Sequence, residues 1–339
     1  MSWSDTAAGW LDAAVTHRRQ GRTGDRRVSA MSTEERLARL QTLREIYGDP
    51  ALLEPGAFFQ PGAPIAPGTT RVRTARGPAL DLSWPSTSVP FDPEVGEAYA
   101  AVASNRTAWA RLFRAGPRPG PIVVVVHGYG AGHVRLESVV WPLRRWLRAG
   151  VDVVLPALPF HARRGEPGRL LSPRFPAADV RFTHEGFRQA IHDLRCLIGW
   201  LRAQGHGPIA VAGMSLGGYT TALLATLDDD LARIALVIPL ASLADFARDR
   251  GRLGDGPEVE RLHEALEAVY APSSPLSRPP RIAPDRVRVV AARGDRITGV
   301  EQARRLANHF GAEVELTPGS HLVQRLPWPS LADWLDPRR

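Results

Sequence analysis

Ser215 is the side chain whose setting points most directly to chemistry. It stands between Gly213 and Gly217, at the end of the apolar run Ile209-Ala210-Val211-Ala212. A serine hydroxyl attacks well when it projects from a sharp, strained strand-to-helix bend, and flanking glycines leave room for the close backbone approach that such a bend requires. A hydroxyl of this kind is protonated at neutral pH, so attack also needs a base, and the base needs a third group to hold its tautomer. The chain offers both downstream. Asp295 ends the run Val287-Arg288-Val289-Val290-Ala291-Ala292-Arg293-Gly294, and His321 follows the run Glu313-Val314-Glu315-Leu316 after a short loop. A fourth piece is Val126-His127-Gly128-Tyr129-Gly130, at the end of a run of five β-branched residues that begins at Ile122. Attack on a carbonyl puts negative charge on its oxygen, and fixed backbone N–H donors stabilise that charge. The amides of Tyr129 and Leu216 are the candidate donors, and Leu216 also opens a helix whose positive dipole end faces the same point.

These groups lie far apart in the chain and need a scaffold that brings strand ends together. Ile122-Val123-Val124-Val125-Val126 is apolar on both faces, the pattern of a central parallel strand covered by helices on both sides. The following chain alternates: a helix over 136–148, a strand over 151–155, a long helix over 183–204, a strand over 208–213, a helix over 216–227, a strand over 233–239, a strand over 287–292, a helix over 300–310, a strand over 313–316 and a terminal helix. Such a series implies a mostly parallel sheet. Runs 71–74, 79–84 and 108–114 read as the opening strands of that sheet. Upstream, Ser32-Thr33-Glu34-Glu35 is a capping-box pattern, and Leu37, Leu40, Leu43 and Ile46 continue it as an amphipathic helix ending at Gly48. Residues 55–68 are dense in Pro and Gly and read as a linker wrapping the core. The expected division is an N-terminal extension over 1–68 and a catalytic domain over 69–339. Within the latter, excursions 160–182 and 241–284 follow strand ends and are candidate lids.

Composition narrows the function classes. The chain has 339 residues, 44% hydrophobic and 23% charged, enough for a sizeable core. Net charge is +8, yet all 43 basic side chains are arginine and they are scattered. Only Arg18, Arg19, Arg22, Arg26 and Arg27 cluster, without interleaved aromatics, so no nucleic-acid partner is expected and a solvated, frayed N-terminus is. No run reaches the roughly 18 apolar residues of a membrane span, and no basic-then-apolar leader opens the chain, so a cytoplasmic location is expected. One cysteine, Cys196, cannot form an intrachain disulfide or a thiolate metal site. The ten histidines include no H-E-x-x-H pattern, and Gly128, Gly130 and Gly132 lack the final spacing of a dinucleotide fingerprint. Neither metal nor cofactor is expected.

With Ser215, Asp295, His321 and the His127–Gly130 loop assembled in this order, the chain from about residue 69 onward resembles the α/β-hydrolase superfamily, whose triad runs Ser, Asp, His. The Gly-Tyr-Gly-Ala-Gly-His stretch at 128–133 and Pro159-Phe160-His161 are similar to branches of that superfamily whose substrates are mostly unassigned. The resemblance implies Ser215 as nucleophile, His321 as general base then acid, Asp295 as its orienting acid, and Tyr129 with Leu216 at the oxyanion hole. Many relatives carry a proline soon after the acid, whereas Asp295 is followed by Arg296-Ile297-Thr298-Gly299; Asp245, after the 233–239 strand, is the alternative acid. The implied activity is cleavage of a carboxylic ester in a small-molecule acyl substrate through an acyl-enzyme, with thioesterase, peptidase or non-catalytic ligand binding as the alternatives. Arg163, Arg164 and Arg169 would suit an acidic substrate group, and Trp141, Trp146, Phe160 and Phe175 an apolar acyl chain. Oligomeric state is left open.

Overall fold

The computed structural model describes Asp12, residues 31–169 and residues 172–338. The arginine cluster at 18–27 lies outside them. The sheet is nine-stranded: β1 (Gly68–Thr74), β2 (Gly77–Pro85), β3 (Thr107–Phe113), β4 (Ile122–Val126), β5 (Asp152–Pro156), β6 (Ile209–Met214), β7 (Arg233–Val237), β8 (Val287–Ala292) and β9 (Val314–Thr317), in spatial order β1-β2-β3-β5-β4-β6-β7-β8-β9. Strands β1, β2, β3 and β5 pair antiparallel in turn, and every pairing from β5 onward is parallel. The expected mostly parallel sheet flanked by helices is therefore the observed one.

The two faces follow from the period-2 geometry of a strand. In β4, Ile122, Val124 and Val126 enter one apolar layer while Val123 and Val125 enter the other. Fully burying each such side chain contributes about 1.5–3 kcal/mol. Ile209 and Val211 of β6 face the first layer, and the small Ala210 and Ala212 face the second. The first layer is covered by α1 (Thr33–Tyr47), α5 (Val180–Ala203), α6 (Leu216–Ala225) and α9 (Gly299–Phe310), the second by α4 (Leu143–Arg148) and α10 (Trp328–Trp334). Between them in sequence lie α2 (Pro93–Ala100), α3 (Val134–Val140), α7 (Leu243–Asp249) and α8 (Glu258–Tyr270). No described helix is long and apolar enough to cross a membrane.

The capping box at Ser32 forms in both directions: Ser32 Oγ accepts from Glu35 N–H (3.2 Å) and Glu35 Oε2 accepts from Ser32 N–H (2.7 Å). The Pro/Gly stretch after α1 packs on α5, where Cys196 Sγ accepts from Ala63 N–H and His192 Nδ1 meets the Pro61 carbonyl. Some expectations fail for identifiable reasons. The helix over 136–148 is two helices, because Pro142 holds Trp141 extended at ψ 151° and supplies no N–H of its own. Helix α2, which begins with Asp92 as cap and Pro93 in its first turn, was not expected. Strand β7 ends at Val237, short of Pro239, because Ile238 turns to φ +40°. Of residues 1–30 only Asp12 is described, and it is completely buried; the stretch expected to be solvated, with the arginine cluster, lies outside the described residues.

Candidate active site

Because β4, β6, β7, β8 and β9 run parallel, their C-terminal ends meet along one edge, and the residues with chemical potential emerge there. Ser215 joins β6 to α6 with φ +55° and ψ −115°, a conformation disfavoured for any residue with a Cβ. The glycines around it answer to contacts. A Cβ on Gly217 would lie 2.1 Å from the Val126 carbonyl oxygen, and one on Gly213 would lie 2.1 Å from the Gly217 carbonyl oxygen. The bend is closed by Ser215 N–H donating to Val237 O (3.0 Å) and Leu240 N–H donating to Ser215 O (3.2 Å). Ser215 occupies the N-cap position of α6, where a serine hydroxyl ordinarily bonds the first helical amides, but here it makes no such bond. The strained backbone aims the side chain away from its usual structural use.

Asp295 and His321 meet. His321 Nδ1 lies 2.8 Å from Asp295 Oδ2, at a nearly buried pair. A carboxylate only accepts, so Nδ1 carries the proton and Nε2 keeps the lone pair. Asp295 Oδ1 accepts from the N–H groups of Ile297 (2.7 Å) and Thr298 (3.0 Å), and Oδ2 accepts from the Thr298 hydroxyl (2.8 Å). Burial alone would raise this carboxyl, but the His321 imidazole, its hydrogen bond, the Ile297 amide and Thr298 together hold it below the usual aspartate value. The dyad is tied to the serine bend by side chains. Thr298 Oγ1 is 3.2 Å from the Ile238 carbonyl, beside the Val237 that holds Ser215, and Gln324 Nε2 bridges His321 O (2.7 Å) and Met214 Sδ (3.5 Å).

Asp245, the alternative acid, lies elsewhere. Burial raises its carboxyl, but hydrogen bonds from Arg305 and His263 outweigh that and lower it, and Arg248 adds an ion pair at 2.9 Å. Asp245, His263 and Glu267 draw their ligand-type atoms together, a grouping that sequence spacing did not reveal. Two guanidinium groups, from Arg248 and Arg305, already neutralise it.

The His127–Gly132 loop is fixed by a buried imidazole. Leu158 N–H donates to His127 Nε2 (3.0 Å), so Nδ1 holds the proton and donates to Gly128 O (2.8 Å); burial lowers the affinity of this ring for a second proton. Tyr129 follows, about one-third exposed, its hydroxyl donating to Pro173 O (3.1 Å) from the first candidate lid. Leu216 is the first residue of α6. His161, in that same excursion, is held between two non-glycine residues at positive φ, Phe160 and Ala162, and its ring centre is 5.8 Å from that of Tyr129. The proposed substrate-binding sets do not converge. Arg164 is buried against Asp193 (2.9 Å), Arg163 lies over the Trp109 ring, and Trp141 and Trp146 fill the second apolar layer. Phe160 and Phe175 are core residues of the first layer.

Sequence reasoning missed Asp12. Its carboxylate accepts four hydrogen bonds from the segments carrying Asp295 and His321. Its partners come roughly 300 residues later, and nothing in the local pattern marks it.

A parallel sheet with an antiparallel flank, a strained serine bend after its central strand and an Asp–His pair at the neighbouring strand ends define an α/β hydrolase; the chain belongs to that superfamily. Residues 132–247 match the family described as alpha/beta hydrolase domain containing 18. An uncharacterized protein of Mycobacterium tuberculosis strain H37Rv is 33% identical over 287 residues, which cover 82% of this chain and 68% of that one. Among solved structures, the acetyl xylan esterase from Paenibacillus sp. R4 has a TM-score of 0.55 at 17% identity, over 88% of this chain and 90% of that one. Acetyl xylan esterase 1 from Thermoanaerobacterium sp. JW/SL YS485 has a TM-score of 0.52 at 17% identity, over 88% and 98% respectively.

Proposed function

We propose that this protein is a serine hydrolase that cleaves a carboxylic ester of a small molecule through an acyl-enzyme, with residues 69–339 as the catalytic unit, 1–68 as an extension and the cytoplasm as its location. The observation that carries this reading is Ser215 itself: a serine held at φ +55° at a helix cap it does not use, on the strand edge that also carries the His321–Asp295 pair. Ser215 Oγ attacks the acyl carbon while its proton passes to His321 Nε2. The carbonyl oxygen becomes an oxyanion, held by the N–H groups of Tyr129 and Leu216 at the positive end of α6. Collapse of the tetrahedral adduct breaks the ester bond, and His321 returns the proton to the departing alkoxide. Water then attacks the acyl carbon as it loses a proton to His321, and collapse of this second adduct breaks the bond to Ser215 Oγ, which takes that proton back as the acid leaves. Asp295 keeps Nδ1 protonated throughout, so that Nε2 alternates between base and acid. The candidate lids, 160–182 and 241–284, set which acyl and leaving groups fit. The two acetyl xylan esterases are similar in fold alone, and the substrate in their name is not carried over.

Ser215→Ala tests the reading. Hydrolysis of short acyl esters by purified protein is expected to fall at least about 1000-fold and fluorophosphonate labelling to vanish, with the circular dichroism spectrum unchanged. Wild-type turnover in the variant ends the proposal. A matched panel of ester, thioester and peptide substrates separates the esterase from the two other acyl-transfer activities, because all share the serine but differ in the leaving group.

A further inference from the structure

We infer that Asp12, which precedes α1 in the chain, is a positioning residue for His321 and Asp295. This inference rests on the hydrolase reading for its kinetic consequence, and on geometry alone for its structural one.

Asp12 is completely buried, which is costly for a carboxylate unless its oxygens are well bonded. They are. Oδ2 accepts from the backbone N–H of His321 (2.8 Å) and from that of Arg296 (3.2 Å), the residue after Asp295. Oδ1 accepts from the Ser320 hydroxyl (3.0 Å) and from the Leu322 N–H (3.1 Å). Both oxygens thus take two donors, close to the full capacity of the group. Three consecutive residues, 320, 321 and 322, are held by one side chain, and the same side chain reaches the acid's loop. Arg250 reinforces the acid loop from outside. Its guanidinium donates to the carbonyls of Arg296 and Ile297, and the negative charges of Asp12 and Asp295 both favour its protonated form, although burial is the larger influence and lowers it.

Several other bonds of the His321 turn are internal to it. Ser320 N–H donates to Val323 O, Val323 N–H donates to Ser320 Oγ, and Gly319 bridges Gln324. Such a turn keeps its own shape without keeping its place. Its anchors to neighbouring elements include the Asp295–His321 hydrogen bond, the Thr298 Oγ1 contact with His321 Nδ1 (3.3 Å), the Gly294 N–H to Gly319 O bond, the Gln324 contact with Met214, and Asp12. Removing Asp12 takes the acceptor from three backbone N–H groups and one hydroxyl in a dry environment, so the turn relaxes to find others. Displacement of a catalytic group by about 1 Å can cost roughly 100-fold in rate. Three of its four donors are backbone N–H groups, those of Arg296, His321 and Leu322, so Asp12 acts through the backbone that carries the two side chains.

The test uses the full chain with Asp12→Ala, Asp12→Asn and Ser320→Ala. Asn keeps one carbonyl oxygen and so serves about half of the donors, while Ser320→Ala deletes a single donor and leaves Asp12 in place. Fluorophosphonate labelling of Asp12→Ala is expected to reach the wild-type end point at a rate reduced tenfold or more, with kcat falling and KM within about threefold; Asp12→Asn falls between the two, and Ser320→Ala stays nearer wild type. A purely structural role would instead lower the labelled fraction and leave the rate per folded molecule unchanged. Proton NMR gives a readout free of any assumed activity. The His321 Nδ1 proton, assigned by its loss in His321→Gln, is expected downfield in wild type and broadened or moved upfield in Asp12→Ala. Should Asp12→Ala fail to fold, Asp12→Asn carries the same comparison. A folded Asp12 variant with the wild-type labelling rate and an unmoved Nδ1 resonance overturns the inference and leaves the hydrolase reading intact. If wild type is never labelled, that reading fails, and the NMR comparison still decides the role of Asp12.

Discussion

The division of labour between the two oxygens of Asp295 makes the consequence of a single-atom change predictable. Oδ1 is committed to the amides of Ile297 and Thr298, and Oδ2 faces His321 Nδ1. In Asp295→Asn the carbonyl oxygen takes the Oδ1 position, because only an acceptor satisfies two N–H donors, and the NH2 group must then face His321. The imidazole answers with its lone pair at Nδ1 and its proton at Nε2, the tautomer that cannot accept a proton from Ser215. The expected loss in kcat is on the order of 10,000-fold with a melting curve close to wild type, since shape and most hydrogen bonds survive. Asp245→Asn gives the contrary result, lower stability from its Arg248, Arg305 and His263 contacts with turnover retained. Steady-state kinetics and a thermal melt on the two variants decide; an active Asp295→Asn removes the acid from that position.

At the scale of elements, the packing of α6 against β4 rests on a position without a side chain. Helix propensity alone favours Ala over Gly by about 1 kcal/mol, but a Cβ at Gly217 would meet backbone oxygen at 2.1 Å, an atom that cannot rotate away. Gly217→Ala should therefore destabilise the fold by about 1–3 kcal/mol or more, seen as a lower urea midpoint; a midpoint at or above wild type would show that α6 shifts freely. That glycine, Ser215 and the strands around them were legible because their signals are local: a run of five β-branched residues can only be a buried strand, and Gly-x-Ser-x-Gly marks one bend. Asp295 and His321 were legible for the same reason, as polar residues just past apolar runs. Signals that depend on distant partners were not. Pro142 interrupts a helix whose hydrophobic spacing continues through it, α7 is set by the burial of Ala244 and Asp245 against other elements, and the role of Asp12 exists only once residues 296 and 320–322 are folded around it. Trp141 and Trp146 illustrate the converse, since aromatic content suggested a binding pocket where the sheet's alanine-lined face simply needed filling.

For the molecule as a whole, histidines folded inside it make stability depend on pH. His127, His161 and His184 are buried, and burial is the leading cause that lowers each one's affinity for a proton, to a pKa of about 3 for His184. His184 stacks on Tyr47 of α1 at 4.2 Å and bonds the Val269 carbonyl of α8, so charging it would strain the junction of three helices. The sign follows from linkage. Unfolded, each ring titrates near its ordinary value of about 6.5; folded, burial lowers that value, so between the two the unfolded chain binds more protons and stability falls as pH falls. The limiting slope is about 1.4 kcal/mol per pH unit for each ring. Lowered carboxyls such as Asp295 and Asp245 contribute in the same direction at lower pH, their stabilisation being present above the unfolded carboxylate value and lost as pH drops through the folded one. The three buried rings act in the same direction, so their effects on stability add as pH falls. The urea midpoint followed by tryptophan fluorescence should accordingly drop steadily from pH 7 to pH 5, and more gently in His184→Asn, which lacks one of the titrating groups. A wild-type midpoint that is level across this range would mean that these rings are already protonated in the native protein, and that the packing described around them does not persist in solution.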